Sequence, residues 1–132
     1  MENIFKTVCA ALAALISYLF GEPDLWLIAL ITVVVTDYAT GLSKAWILGE
    51  LSSKVGLKGI MKKLMYFAVV AVAVIADNLT GACGVLRVAV IGFLIANEAL
   101  SILENCAAAN LPVPGVLIKV LKKLKNQEQD NE

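Results

Sequence analysis

Residues 36–63, TDYATGLSKAWILGELSSKVGLKGIMKK, join an apolar segment to a lysine-rich one and fix how the chain crosses a membrane. The apolar run that leads into this stretch has no Lys or Arg, whereas five lysines accumulate within the stretch. Because cytoplasmic loops carry the excess of Lys and Arg, we predict that the stretch is cytoplasmic. Asp37 lies in the apolar part, where a charge at mid-membrane costs roughly 2.5 to 3.5 kcal/mol, and is therefore a functional candidate.

The composition is typical of an integral membrane protein. Sixty per cent of the 132 residues are apolar and none is His, whereas a soluble domain needs far more polar surface. The eleven basic and eleven acidic residues cancel, but most of the basic ones form two clusters that indicate topology, and we expect no nucleic-acid partner. Cys9, Cys83 and Cys106 stand singly, without disulfide or metal spacing, and are interpreted as small apolar fillers.

The sequence carries no catalytic pattern. It lacks His, a nucleophile with a base at usable spacing, a Gly-rich phosphate loop and a metal motif. We therefore predict a protein that is not an enzyme, with no catalytic residues, no cofactor and no metal site.

Four apolar runs predict an all-α fold with about four transmembrane helices. The first run is short for a span, but no small-residue cleavage site follows it, so we expect an uncleaved helix. Trp26 and Trp46 mark the two membrane interfaces of the second run. With lysines on one side of the membrane, both termini are predicted to be cytoplasmic. The predicted spans cover residues of about 4–20, 25–46, 62–80 and 85–109.

The segment between the second and third spans is amphipathic and basic. Residues 49–63 can begin a helix after Ser52 or Ser53, since a serine hydroxyl accepts a bond from a free amide of the first turn. Gly56 and Gly59 argue against a rigid helix. We expect the segment to lie along the interface with its lysines in water or at anionic headgroups.

The C-terminal part is predicted to be separate from the spans. Pro112 and Pro114 end the fourth span, and a short basic amphipathic helix follows. The tail from residue 126 is polar and predicted to be disordered. The chain is thus divided into a transmembrane domain, 1–111, and a cytoplasmic helix with a tail, 112–132. The predicted basic anchors at anionic lipid are Lys54, Lys58, Lys62, Lys63, Lys119, Lys122 and Lys123.

Polar side chains form a stripe on the second span and another on the fourth. Asp37 and Glu98 lie about 12 and 13 residues from the outer turns, or roughly 18 to 20 Å deep, and both should face protein or a lumen. The stripes either hold the helices together or line water once several copies assemble, and both interpretations stay open. Their members are Thr32, Thr36, Asp37, Thr40 and Ser43, then Asn97, Glu98, Ser101, Glu104 and Asn105.

Arg87 is the exception to the charge pattern, because it follows the predicted outer turn Gly81-Ala82-Cys83-Gly84. Asp77 precedes the same turn by a few residues. We expect the two side chains to face each other across this hairpin and to form a structural ion pair.

Two stretches resemble the clostridial toxin-secretion and phage-lysis holin family. They are TDYATGLSKAWILGELSSKVGLKGIMKKL and IANEALSILENCAAANLPVPGVLIKVLKKLK, which together cover about 90 residues in matching order. The chain departs from the family pattern at Asn110-Leu111, where Gly is expected before Pro112. The positions that match the family motifs are Asp37, Thr40, Gly41, Ser53, Lys54, Gly59, Lys63, Asn97, Glu98, Ser101, Glu104 and Asn105.

The resemblance implies a small phage-type protein that forms homo-oligomeric lesions in the bacterial cytoplasmic membrane. Such lesions release an endolysin or large secreted toxins, without required direct contact with that cargo. Two alternatives stay open. A small ion or drug antiporter would use the intramembrane carboxylate, and an antiholin-like regulatory or structural subunit would have the same fold without killing activity.

Overall fold

The computed structural model of the protein describes residues 1–129, and over these residues the chain is helical without a strand. The all-α prediction is therefore confirmed. Four of the helices are long and apolar enough to cross a membrane. The helices are α1 (Glu2–Phe20), α2 (Leu25–Ile47), α3 (Ser53–Thr80), α4 (Val85–Ala108) and α5 (Gly115–Gln129).

Local chemistry explains where the helices begin and end. The Asp24 carboxylate accepts a bond from the Leu27 amide at 3.0 Å, and the Ser52 hydroxyl accepts one from the Val55 amide at 3.2 Å. Both oxygens satisfy amides that have no partner within their own helix. Asn110, with φ of 63°, occupies the turn after α4. Asn tolerates this left-handed conformation better than most residues, so it replaces the Gly expected there.

The helix α3 begins nine residues before the predicted span and runs through both glycines without a break. The expectation that Gly56 and Gly59 prevent a rigid helix is wrong, because the ring of Tyr38 from α2 covers them. The Tyr38 hydroxyl donates to the Gly56 carbonyl at 3.4 Å, and a Cβ on Gly59 would lie 3.2 Å from the ring. The glycines therefore provide a flat surface for close packing of two helices.

The helices α2, α3 and α4 form the centre of the bundle, with α4 packed against both of the others. The start of α2 and the end of α3 lie beside the start of α4, so α3 runs antiparallel to its two neighbours. We call the end with residues 21–24 and 81–84 the arginine end, and the end with residues 48–52 and 109–114 the lysine end. An apolar core lies between them, formed by Leu30, Val34, Val70, Ile91 and Leu94.

The first and last helices lie at the periphery. No residue of α1 is buried, and its half-buried side chains are confined to its last turn, where the Phe20 ring meets Phe67 edge to face at 5.8 Å. The helix α5 packs against α4. It continues to Gln129, so the prediction of a disordered tail is wrong for residues 126–129. The rest of that predicted tail, 130–132, lies outside the described residues.

Candidate functional site

A cluster of polar side chains lies inside the bundle at the lysine end of the apolar core. The ammonium of Lys63 on α3 contacts both the Asp37 carboxylate on α2 and the Glu98 carboxylate on α4. The Glu98 side chain is 1% exposed, that of Asp37 10% and that of Lys63 12%. The ion triad therefore joins all three central helices in a largely buried position.

Neutral side chains complete this inner cluster. The Asn105 amide donates to Asp37 Oδ1 and to the Thr40 hydroxyl oxygen, both at 3.1 Å. The Asn97 amide lies 3.5 Å from Glu98 Oε1 and 3.4 Å from the Tyr66 hydroxyl. The Lys63 ammonium also stands 5.3 Å from the centre of the Tyr66 ring. Buried carboxylates need such donors, since an unpaired one costs several kcal/mol. The name inner cluster is used below for these six residues: Asp37, Thr40, Lys63, Tyr66, Glu98 and Asn105.

Arg87 forms a second polar site at the arginine end. Its guanidinium donates to both Asp24 carboxylate oxygens, at 2.8 and 3.0 Å. It also donates to the carbonyls of Phe20, at 2.7 Å, and Glu22, at 3.0 Å. Gly21 lies against this side chain, and a Cβ there would come within 2.7 Å of Nε. Arg87 thus ties the end of α1 and the start of α2 to α4.

The Arg87 guanidinium also sets the charge state of Asp24. Its hydrogen bonds and positive charge, with the Leu27 amide, lower the pKa of the Asp24 carboxyl to about 2, against an opposing effect of burial. Asp24 is therefore ionised over the whole physiological pH range. The bidentate geometry makes this the stronger form of an Arg–carboxylate pair.

The predicted side-chain ion pair between Asp77 and Arg87 is wrong. The Asp77 carboxylate instead accepts bonds from the backbone amides of Leu86, at 3.0 Å, and Arg87, at 2.8 Å. It thereby caps the free N-terminal amides of α4, for which the Gly84 before the helix has no side chain to offer. The guanidinium points away from this cap and reaches Asp24.

The predicted stripe of the second span divides between two surfaces. Asp37 is buried and Thr40 half-buried in the inner cluster, whereas Thr32, Thr36 and Ser43 are exposed. The hydroxyls of these three residues donate to carbonyls four residues earlier in their own helix. The predicted stripe spans an arc of roughly 140° around α2, which is wider than the surface that contacts one neighbouring helix. Residues at the edges of the stripe therefore need no partner helix.

The predicted stripe of the fourth span divides in the same way. Glu98, Asn105 and Arg87, which fall within roughly 20° of one another on a helical wheel, are all buried. Asn97 and Ser101 are half-buried, and Glu104 is exposed. The narrow part of the stripe thus identifies the buried face of α4.

The interpretation of Lys63 as a basic anchor is wrong, because its ammonium points into the bundle instead of toward headgroups. Depth along the helix was the missed signal. Lys63 lies 14 residues before Asp77, roughly 21 Å along α3 at 1.5 Å per residue. Because the Asp77 carboxylate meets the start of α4, Lys63 lies at a depth close to that of Glu98. The remaining predicted anchors are all exposed, namely Lys54, Lys58, Lys62, Lys119, Lys122 and Lys123.

A cavity of about 270 Å³ opens beside the inner cluster toward the lysine end. Asp37 and Lys63 form its inner part, whereas Lys44, Lys62 and Glu50 line it farther out. Within residues 1–129, no group of three or more His, Cys, Asp and Glu side chains is arranged to hold a metal ion. The cavity therefore connects solvent to one carboxylate of an ion triad, without the geometry of a metal centre.

Comparison with known proteins gives the family. Residues 14–126 match the bacteriophage holin family. A probable holin of Bacillus phage phi105 is 38% identical over 116 residues, which cover 88% of this chain and 83% of that protein. An uncharacterized protein of Halalkalibacterium halodurans is 40% identical over 133 residues (97% of this chain, 98% of that protein), and an uncharacterized protein of Listeria monocytogenes is 45% identical over 117 residues (89% and 84%). No solved structure matches significantly.

The family match includes the second, third and fourth spans with the inner cluster and the Arg87 site. It agrees with the four apolar helices and with the resemblance noted in the sequence. The chain belongs to the bacteriophage holin family.

Proposed function

We propose that this holin-family protein self-associates in the bacterial cytoplasmic membrane and forms holes through which an endolysin, or a large secreted protein, leaves the cytoplasm. Family membership and the phage relative support a holin function. The cargo passes through the hole without binding the protein. No catalysis is required for this activity.

The inner cluster is the observation that carries the proposal. Three charged side chains are enclosed among α2, α3 and α4 of one copy, at a depth where lipid cannot solvate them. The five helices of residues 1–129 are too few to enclose a channel wide enough for a protein, so a hole requires many copies. In the assembled state the faces with Asp37 and Glu98 line water, and in the closed state the cluster hides them.

The helix α1 provides a surface for assembly. Its Ala10, Ala13, Ala14 and Ser17 share one side of the helix, and small residues allow close contact between helices in lipid. The first three are exposed in the structure. Contacts between copies through α1 leave the central bundle intact until the assembly opens.

The charge distribution supports an orientation with both termini in the cytoplasm. The lysine end then faces the cytoplasm and the arginine end faces outward. In this orientation 1–111 form the membrane domain, and the lysines of 112–132 contact anionic headgroups. Cys83, exposed in the 81–84 turn, gives a direct test. With Cys9 and Cys106 replaced by Ala, it should react with an impermeant maleimide outside intact cells. A Glu50→Cys reporter without the native cysteines should stay unreactive until the membrane potential collapses and should react afterwards.

Controlled expression in bacteria tests the function itself. Membrane potential should collapse abruptly at a set time, and cells should lyse when a cytoplasmic wall hydrolase is also expressed. An antiporter would leave cells viable with a continuous ion exchange. A regulatory subunit would show neither collapse nor lysis when expressed alone, and either outcome would remove the holin proposal.

A further inference from the structure

The cavity at the lysine end is a cleft between two helices. The residues that line it belong to α2, to α3 or to the connection between them, and in the part of the chain that the structure describes α1, α4 and α5 contribute none. Trp46, exposed on α2 directly after the lining residue Ala45, places this level of the bundle at the membrane interface, where Trp side chains are enriched. The cleft therefore adjoins the lipid headgroups.

The mouth of the cleft carries charged side chains that have no protein partner. Lys44 is half-buried, and Lys62 and Glu50 are exposed. Over residues 1–129, none of these three side chains takes part in a hydrogen bond or an ion pair. At the inner wall, by contrast, Lys63 is already paired with Asp37. The mouth thus offers two ammonium groups and one carboxylate to a ligand.

The formal charges in and behind the cleft balance. When the acid behind Lys63 is included, three lysines face three acids: Lys44, Lys62 and Lys63, and Asp37, Glu50 and Glu98. A ligand with a net charge would add a charge without a counter-charge to a partly buried place, which costs free energy. A ligand that carries both signs keeps the balance and can still pair with the free groups at the mouth.

We propose that this cleft binds the headgroup of a zwitterionic phospholipid with a primary ammonium, the chemistry of phosphatidylethanolamine. The phosphate lies between Lys44 and Lys62, and the ammonium of the headgroup pairs with Glu50. Basic pockets between membrane helices are suited to the phosphate of a lipid headgroup. The site is complete within one copy, so it does not depend on the formation of holes.

The size and the apolar rim of the cleft favour a lipid over a soluble phosphate compound. A volume of about 270 Å³ is at the small end for ligand sites and suits a headgroup whose acyl chains stay outside. Leu42 and Val55 line the cleft, and Leu48 and Leu51 are exposed beside it. These side chains provide an apolar surface for the acyl chains, which a free headgroup would leave uncovered.

Native mass spectrometry of the purified full-length protein tests the site. Phosphatidylethanolamine, phosphatidylglycerol and phosphatidylcholine with the same acyl chains are added in equal amounts, and we expect retention of one phosphatidylethanolamine per chain in preference to the others. Lys44→Gln and Lys62→Gln should each lower its retention about fivefold, the equivalent of one lysine contact of about 1 kcal/mol. Lys58→Gln, exposed on α3 outside the cleft, is the matched control and should retain the lipid.

Two further variants separate the parts of the proposal. Glu50→Gln should remove the preference over phosphatidylglycerol, because an amide does not pair with the ammonium of the headgroup. Val55→Trp keeps every charge but fills the cleft, and it should also lower retention. Val55 is exposed, so this variant decides the matter even where a lysine variant fails to fold.

Several results would overturn the inference. Equal retention of the three lipids would show that the cleft does not select a headgroup, and a preference for phosphatidylglycerol would contradict the charge balance. Unchanged retention in Lys44→Gln, Lys62→Gln and Val55→Trp would place the lipid elsewhere. Release of the lipid by millimolar inorganic phosphate or phosphoethanolamine would show a site for a soluble phosphate compound instead.

Discussion

At the scale of single residues, Lys63 connects the membrane helices electrostatically. It is the shared partner of two acids that lie on different helices and far apart in sequence. Arg87 does the same at the arginine end, where one guanidinium ties together four acceptors of a loop and a helix start. These two long side chains join α2, α3 and α4 through ion pairs.

Replacement of Lys63 should destabilise the bundle more than replacement of its neighbour. Lys63→Met leaves two buried carboxylates without a counter-charge, and we expect a loss of roughly 3 kcal/mol, the lower end of the range for broken buried ion pairs. Lys62→Met, at an exposed position, is the matched control and should change little. Unfolding in detergent by SDS titration measures both, and equal stability of the two variants would contradict the role of Lys63.

The Asp24–Arg87 pair should make stability depend on acid pH. The pKa of Asp24 is lowered from 3.8 to about 2 by Arg87, so the folded state favours the ionised form. The contribution is fully present above about pH 4 and is lost as pH falls toward 2. Because the Asp24 side chain is 40% exposed, we expect less than about 1 kcal/mol. The difference in unfolding free energy between native protein and Asp24→Asn should vanish near pH 2, and a constant difference from pH 5 to pH 2 would refute the pair.

Sequence patterns predicted part of this residue chemistry. The narrow triplet Arg87, Glu98 and Asn105 follows directly from helical periodicity, and all three are buried. The residues that contact this triplet could not be predicted, because periodicity identifies one face of a helix and does not say which helix packs against it. Asp77 and Asp24 are both near Arg87 along the fold, and the requirement to cap α4 decides which acid remains for the guanidinium.

At the scale of elements, glycines determine how closely α2 and α3 approach. Tyr38 packs against Gly56 and Gly59, although the sequence pattern predicted that these glycines would interrupt a helix. Helix propensity alone was misleading here, since packing against a neighbouring helix outweighs a cost of about 1 kcal/mol per glycine. The membrane spans themselves were predictable, because length and hydropathy suffice to identify them.

A larger residue at position 59 should force the two helices apart. The Cβ of Gly59→Leu would begin 3.2 Å from the Tyr38 ring, so we expect overpacking to cost about 1–3 kcal/mol. Gly115→Leu is the control, since nothing lies within 4 Å of that position. Thermal unfolding in the same detergent compares them, and an equally stable Gly59→Leu protein would argue against close packing at this site.

The helix α5 should depend on anionic lipid for its position. Its exposed apolar side chains, including Val120 and Leu124, adjoin lysines on the neighbouring face, and each lysine near an anionic surface contributes about 1 kcal/mol. A polarity-sensitive dye on Val120→Cys, in nanodiscs of the full chain with the native cysteines removed, should report an apolar environment in anionic bilayers. Replacement of Lys119, Lys122 and Lys123 by Gln should make its emission solvent-like, whereas Arg at the same positions should not.

At the scale of the whole molecule, a small apolar core lies between two polar sites, the inner cluster and Arg87. The apolar core is limited to a few side chains, α1 buries no residue, and most large apolar side chains are exposed. In lipid this exposed surface is equally available to acyl chains and to other copies of the protein. The proposed assembly of copies cannot be derived from the sequence, because one helical period fits both packing within a copy and packing between copies.

Thiol accessibility beside Glu98 tests the central claim most directly. In a chain without native cysteines, Ser101→Cys places a half-buried thiol on the polar side of α4, and Ala89→Cys places an exposed one on the same helix. An impermeant thiol reagent is added during induced expression while membrane potential is recorded. We predict that position 101 is unreactive until the potential collapses and reacts promptly afterwards, whereas position 89 stays unreactive in lipid. A position 101 that stays unreactive after collapse, or reacts before it, would contradict holes lined by this face.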